Sequence, residues 1–170
     1  SPSRTLTGAT PVYRFYSAVY ANDHFYTTDL GERNHIIATW PTIWQYEGVG
    51  YVAYPTDPTK GQCGNGKTPV YRFYAPAFGN THFFTANTSE KTTLQTNSAF
   101  TKYWIYEGPA FCGDTSQGSL DIPIYRFYAS SFENTHFYTN SDTESNNLRT
   151  NSAFTLYWSY EGVSWYAPWY

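Results

Sequence analysis

The stretch Val12-Tyr13-Arg14-Phe15-Tyr16, followed by His24-Phe25-Tyr26-Thr27 and Trp44-Gln45-Tyr46-Glu47-Gly48, decides the fold because the chain contains it three times. Tyr13-Arg14-Phe15-Tyr16 returns as Tyr71-Arg72-Phe73-Tyr74 and Tyr125-Arg126-Phe127-Tyr128. Ten residues after each arginine stands His24, His82 or His136, opening His-Phe-Tyr-Thr, His-Phe-Phe-Thr and His-Phe-Tyr-Thr. Asn22, Asn80 and Asn134 precede these histidines by two residues. The last motif, Trp-x-Tyr-Glu-Gly, runs Trp44 to Gly48, Trp104 to Gly108 and Trp158 to Gly162. Repeats two and three also share Thr-Asn-Ser-Ala-Phe-Thr, where repeat one reads Ala38-Thr39-Trp40-Pro41-Thr42-Ile43.

Each motif has a local reading. Val12 to Tyr16 is short, aromatic and preceded by Pro11, which predicts a strand, with His-Phe-Tyr-Thr as its partner across a turn. The asparagines fall in that turn, where tolerance of positive φ favours them. Asp29, Asn87 and Ser141, each three residues before Glu32, Glu90 or Glu144, predict a capping box and a helix of two or three turns. Trp-x-Tyr-Glu-Gly and the residues after it predict one further strand, or two with a turn at the glycine. The unit is β-β-α-β, and the linkers are Ala53 to Thr68 and Cys112 to Ile122.

Three units this small must share a core about a pseudo-threefold axis. The expected fold is all-β with a short helix per repeat and β-trefoil-like, with a three-sheet prism and a propeller-like ring as alternatives. Its 170 residues suit a single domain, 1–170, with repeats at approximately 11–54, 69–112 and 123–166. Aromatic residues make up 21% of the chain and charged residues 14%, which excludes a disordered tail. Ten basic residues against thirteen acidic ones form no cationic stripe, and no apolar run reaches the roughly 20 residues of a membrane span, so neither nucleic acid nor a bilayer core is an expected partner. Cys63 and Cys112 lie in Gly-containing stretches and read as one disulfide, whose 49-residue loop would contribute about 4 kcal/mol on the chain-entropy view. The absence of methionine and the opening Ser1-Pro2-Ser3 predict a processed, secreted, extracellular protein.

The combination of Val/Ile-Tyr-Arg-Phe-Tyr, His-Phe-Tyr-Thr and Trp-x-Tyr-Glu-Gly-Val, from Pro11 to Tyr166, resembles a Tyr/Trp-rich repeat family of secreted bacterial and fungal proteins. That family is largely of unknown function and often appended to extracellular hydrolases. The resemblance implies an extracellular, carbohydrate-directed role and carries over no catalytic residues.

The repeated polar residues admit two readings each. Arg14, Arg72 and Arg126 sit among rings and need partners, so pairing with Glu47, Glu107 and Glu161 of the same repeat is the structural expectation. The alternative is that arginine and glutamate line a pocket and bind sugar hydroxyls. His24, His82 and His136 are expected to pack and bond a backbone carbonyl, a three-histidine metal site on the axis being the alternative. No metal and no cofactor is expected. Trp44, Trp104 and Trp158 offer faces on which a pyranose could stack, although about two-thirds of the repeated rings are expected to be buried. His35, Trp40, Trp165 and Trp169 occur in one copy each and fit a repeated site poorly. Asn87-Thr88-Ser89 is the only glycosylation sequon, and a capping role for Asn87 competes with its use.

There is no Gly-x-Ser-x-Gly, P-loop or His-Glu-x-x-His, and the repeated acids come three at a time rather than as one pair in a unique cleft. The expected function is a non-catalytic, multivalent, lectin-like protein that binds glycans through Asn22, His24, Trp44, Glu47 and their counterparts Asn80, His82, Trp104, Glu107, Asn134, His136, Trp158 and Glu161. An extracellular protein-binding module or inhibitor is the second reading, a cell-wall polysaccharide hydrolase the third, and self-association stays open. The divergence of repeat one before Trp44 predicts that its site has been lost.

Overall fold

The computed structural model describes residues 9–57, 62–64 and 66–169. Ser1 to Gly8, residues 58–61 and 65 of the linker between repeats one and two, and Tyr170 lie outside the described residues. Repeat one is β1 (Thr10–Ser17), β2 (Asp23–Thr27), α1 (Leu30–Thr39) and β3 (Gln45–Ala53). A small ribbon of β4 (Thr56–Asp57) and β5 (Gln62–Cys63) leads to β6 (Thr68–Ala75), β7 (Thr81–Thr85), α2 (Thr88–Thr96), α3 (Ser98–Thr101) and β8 (Ile105–Gly113). Repeat three is β9 (Asp121–Ala129), β10 (Thr135–Thr139), α4 (Asp142–Thr150), α5 (Ser152–Thr155) and β11 (Ser159–Pro168).

The pseudo-threefold, mostly β arrangement with helix in every repeat matches the sequence expectation. A β-trefoil closes strands of neighbouring repeats into a barrel. Here the ladders instead run within each repeat, giving three antiparallel sheets ordered β2-β1-β3, β7-β6-β8 and β10-β9-β11, the form the three-sheet alternative describes. The Tyr-Arg-Phe-Tyr strand is central in each sheet. Trp-x-Tyr-Glu-Gly continues as one long strand and does not turn at its glycine. Gly48, Gly108 and Gly162 sit at φ of 92°, 93° and 94° where the register slips, so each is a bulge with a conformation other residues rarely adopt. The strands also extend into both predicted linkers, placing Cys112 inside β8. The Cys63–Cys112 disulfide ties β5 to that strand, with Cα atoms 5.9 Å apart.

β2, β7 and β10 meet on the axis. Their inner edges have no strand to pair with, and tyrosine hydroxyls fill the gap. Tyr26 Oη donates to the Tyr138 carbonyl and accepts from its amide, both at 2.9 Å. Tyr138 Oη does the same for Phe84, at 2.7 and 2.8 Å. Buried backbone groups are thereby satisfied without a barrel. Phe84 lacks the hydroxyl that would complete the circle back to repeat one.

The shared core continues through Val12, Val70 and Ile124, then Tyr51, Phe111 and Trp165. Trp165 is wider than its two counterparts, and the chain compensates at Gly113, where Ala53 and Ala167 stand in the other copies. A Cβ at Gly113 would lie 2.7 Å from the Trp165 ring. At the turn end of the axis, Asp23 Oδ1 accepts from Thr81 and Thr135 hydroxyls and from the His24 amide. These three side chains are buried. Asp23 Oδ2 has no hydrogen-bond partner among the described residues, and burial pushes this carboxyl up to about 7 against its hydrogen bonds.

Of the seven ring positions within the three repeated motifs, only three are buried, such as Phe15, Phe25 and Tyr26 in repeat one. This is fewer than the two-thirds expected. The remaining tyrosines and Trp44, Trp104 and Trp158 are half-buried or exposed, because the middle of each sheet faces a groove between repeats.

Candidate functional site

The bulge glycine positions the first polar group. In repeat one, Gly48 pairs with Arg14 and Tyr46 with Phe15, which leaves Glu47 as the extra residue of the bulge. Its carboxylate accepts Arg14 Nε at 2.9 Å and lies 3.5 Å from His24 Nε2. The same geometry recurs at Glu107, with Arg72 at 2.9 Å and His82 at 3.3 Å, and at Glu161, with Arg126 at 2.9 Å and His136 at 3.1 Å. The expected pairing within each repeat is therefore present. The histidines do not bond a backbone carbonyl. Their Nε2 atoms face these glutamates, and each Nδ1 is buried without a partner among the described residues. Nor do they gather on the axis, which Asp23, Thr81 and Thr135 occupy, and no cluster with metal-ligand composition exists among the described residues.

The second carboxylate comes from the neighbouring repeat. Arg14 Nη1 and Nη2 donate to Glu144, both at 3.2 Å, and Arg126 makes the same fork to Glu90 at 2.9 and 2.8 Å. Arg72 makes one such bond, to Glu32, at 3.1 Å. Each guanidinium also lies over a ring of that neighbour, Phe137, Phe25 or Phe83, at 5.2–5.6 Å. This revises the capping-box reading. Asp29, Asn87 and Ser141 do cap the helices, accepting from the amides of Glu32, Glu90 and Glu144. The cap's own amide is taken instead by Thr27, Thr85 or Thr139 of the His-Phe-Tyr-Thr motif, at 3.0 Å in each case. That substitution releases the glutamate carboxylates to cross to the next repeat.

Electrostatics follow from this placement. Burial opposes charge on Arg14 and Arg126, yet Tyr26 or Tyr138 together with the surrounding glutamates more than reverse it and raise both above the ordinary arginine range. Burial likewise works to raise Glu47, Glu90, Glu107 and Glu161, but hydrogen bonds from histidine, arginine or threonine hold all four below the usual carboxylate range. His24 and His136 are lowered, chiefly by burial, so they stay neutral near pH 7.

Between adjacent repeats these groups form one wall of a cleft, and the neighbour's helix and tryptophan form the other. Three such clefts have volumes of about 420, 440 and 360 Å³. All twelve sequence-predicted binding residues line them, but each cleft mixes two repeats. Asn80, His82 and Glu107 face Trp44; Asn22, His24 and Glu47 face Trp158; Asn134, His136 and Glu161 face Trp104. Arg14, Arg72 and Arg126, read from sequence as structural, line the clefts as well. Asn22, Asn80 and Asn134 take positive φ in their turns as expected. Their Oδ1 atoms accept from Tyr16, Tyr74 and Tyr128 at 2.5–2.6 Å, while their amide nitrogens have no protein partner among the described residues.

Repeat one's cleft is present despite its divergence. Repeats two and three break the helix at Asn97 and Asn151, whose side chains cap a second short helix, and then supply Phe100 with Tyr103 and Phe154 with Tyr157. Repeat one is two residues shorter and keeps one helix. Trp40 fills the phenylalanine slot and Ile43 the tyrosine slot, as the matching amide bonds of Trp44 to Trp40 and Trp104 to Phe100 show. Two residues set aside as unique, His35 and Trp40, therefore line a repeated cleft, with ring centroids 5.1 Å apart. Trp165 is core, as its single occurrence allowed.

Fold and clefts together define a three-repeat β protein with one cleft at each repeat junction. The same periodicity appears in comparison with known families: two overlapping matches run over residues 2–102, which covers repeat one and repeat two up to β8, and 59–168, which covers repeats two and three, and the chain belongs to the family described as Domain of unknown function (DUF5648). No curated protein and no solved structure matches it.

Proposed function

We propose that the three clefts are carbohydrate sites and that the protein is an extracellular, non-catalytic, multivalent lectin-like module. One observation carries the reading. Every cleft sets an aromatic wall, Trp44 with Trp40 or Trp104 with Phe100, opposite a wall of asparagine, arginine, histidine and glutamate. A pyranose has the matching asymmetry, an apolar C–H face and a rim of hydroxyls. The volumes fall in the range of about 300–1,000 Å³ usual for small-ligand sites. Multiplicity favours binding over turnover, since three weak sites on one body raise avidity on a polymer by orders of magnitude.

Hydrolysis needs a pair of acids in one cleft, whereas the sequence shows the repeated acids three at a time in equivalent environments. The clefts do pair acids, Glu161 with Glu90 for example, but around one arginine. Both members of that pair are held below the usual carboxylate range, which disfavours either of them as the protonated acid a leaving group needs. The disulfide is compatible with an oxidising compartment, no described helix is long and apolar enough to cross a membrane, and the sequence resemblance to a family appended to extracellular hydrolases points the same way.

A glycan array tests the proposal. Selective binding, competed by free sugar, is expected for the parent, with a loss of at least tenfold in the Trp104→Ala plus Trp158→Ala variant, whose thermal unfolding is followed alongside. A blank array together with tight binding to a protein partner would overturn it in favour of the protein-binding reading.

A further inference from the structure

Each cleft holds more negative charge than its own cation neutralises. Glu47 and Glu144 flank Arg14, Glu107 and Glu32 flank Arg72, and Glu161 and Glu90 flank Arg126. One guanidinium against two carboxylates leaves one uncompensated negative charge, and no lysine lines any of the three. The open valence also has a fixed position. Arginine and histidine both engage Oε1 of Glu47, Glu107 and Glu161, while Oε2 of each has no hydrogen-bond partner among the described residues. These side chains keep 27–30% of their surface. An ionised carboxylate only accepts hydrogen bonds, so the vacant position wants a donor.

The arginine does not reverse this preference, because Arg14 and Arg126 spend their whole fork on two glutamates, and Arg72 spends Nε and Nη1 on Glu107 and Glu32. A ligand carboxylate or sulfate would meet the spare charge in a half-apolar cleft and be repelled. A ligand ammonium would gain a charge-assisted hydrogen bond to Oε2 and the attraction of the facing indole. We propose that the clefts select sugars with a free amine, unacetylated hexosamine units above all, over N-acetylated ones and exclude uronates. This rests on the clefts being carbohydrate sites. Three of them on one rigid body would then grip a polycationic chain of such units with avidity.

Calorimetric titrations at pH 6 with hexamers of glucosamine, N-acetylglucosamine and galacturonate test it. The glucosamine hexamer is expected to bind at least tenfold more tightly than its acetylated counterpart, with galacturonate silent. The preference is expected to shrink in 0.5 M salt, where charge is screened. In the Glu47→Gln, Glu107→Gln, Glu161→Gln variant the ratio of the two affinities is expected to fall below threefold, the glucosamine hexamer losing more affinity than the neutral one. Equal or tighter binding of the neutral hexamer by the parent would overturn the amine selectivity and leave the carbohydrate reading standing. No heat with any of the three, together with a blank glycan array, would remove both.

Discussion

Replacing Asp23 with asparagine is expected to stabilise the protein at pH 8 and to change little at pH 4. The carboxyl lies buried on the axis, with Oδ1 accepting from Thr81, Thr135 and the His24 amide and Oδ2 bare. Burial raises it to about 7 from an ordinary value of 3.8. Because its folded pKa is the higher one, protonation contributes stability that is complete below about pH 4 and lost as pH rises through 7. A difference of about three pKa units corresponds to about 4 kcal/mol of stability at acid pH that is absent at pH 8. Asparagine keeps the acceptor and never ionises, so the variant should exceed the parent by about 2–4 kcal/mol at pH 8. Urea unfolding of both proteins at pH 4, 6 and 8 measures this. The lowered glutamates act with the opposite sign near pH 4 and cancel in the difference. Parallel pH profiles for parent and variant would contradict the buried, proton-binding role of Asp23.

Arg126→Ala is expected to cost roughly 2–3 kcal/mol. It removes the shared partner of Glu90 and Glu161 and leaves two carboxylates facing each other across the junction of repeats two and three. Complete burial would cost about 3–5 kcal/mol, and the glutamates, which keep about a third of their surface, are partly relieved by water. Arg126→Lys should recover less than half of the loss, since a point charge cannot reproduce the fork to Glu90 and the bond to Glu161 together. Adding Glu90→Gln to Arg126→Ala should recover more than lysine does, because it removes the repulsion. A stability change below about 0.5 kcal/mol for Arg126→Ala, read from chemical unfolding, would show that the fork does not hold the repeats together.

The three copies of Tyr-Arg-Phe-Tyr, His-Phe-Tyr-Thr and Trp-x-Tyr-Glu-Gly were legible because each motif is a local device: a central strand, its partner, a bulged strand. Pairing within a repeat was legible for the same reason, as with Arg14 and Glu47. What crosses from one repeat to the next was not. Glu32, Glu90 and Glu144 fit the capping-box spacing, and nothing local reveals that Thr27, Thr85 and Thr139 take over half of that box and free the carboxylates. The one available signal was that threonine closes all three copies of His-Phe-Tyr-Thr just ahead of the cap.

All the predicted site residues line the clefts, yet their grouping by repeat was misleading, because a cleft needs two walls and a repeat supplies one to each side. Asn80, His82 and Glu107 meet Trp44, not Trp104. Trp40 was missed because sequence alignment across the two-residue deletion hides its equivalence to Phe100 and Phe154, which appears only once the helix ends are superposed through their amide bonds. The barrel-free packing of the sheets depended on Tyr26 and Tyr138 hydroxyls bonding a neighbour's backbone, a contact with no sequence spacing to announce it.

The most direct measurement of the central claim is a crystal structure of the protein with the oligosaccharide that binds most tightly on the array. A pyranose is predicted in the cleft between repeats, stacked on Trp104 or Trp158, with hydroxyls or an amine reaching the asparagine amide and the free oxygen of Glu161 or Glu47. Sugar bound elsewhere, such as the face around Tyr54, Asp114 and Asp121, with all three clefts empty, would contradict it.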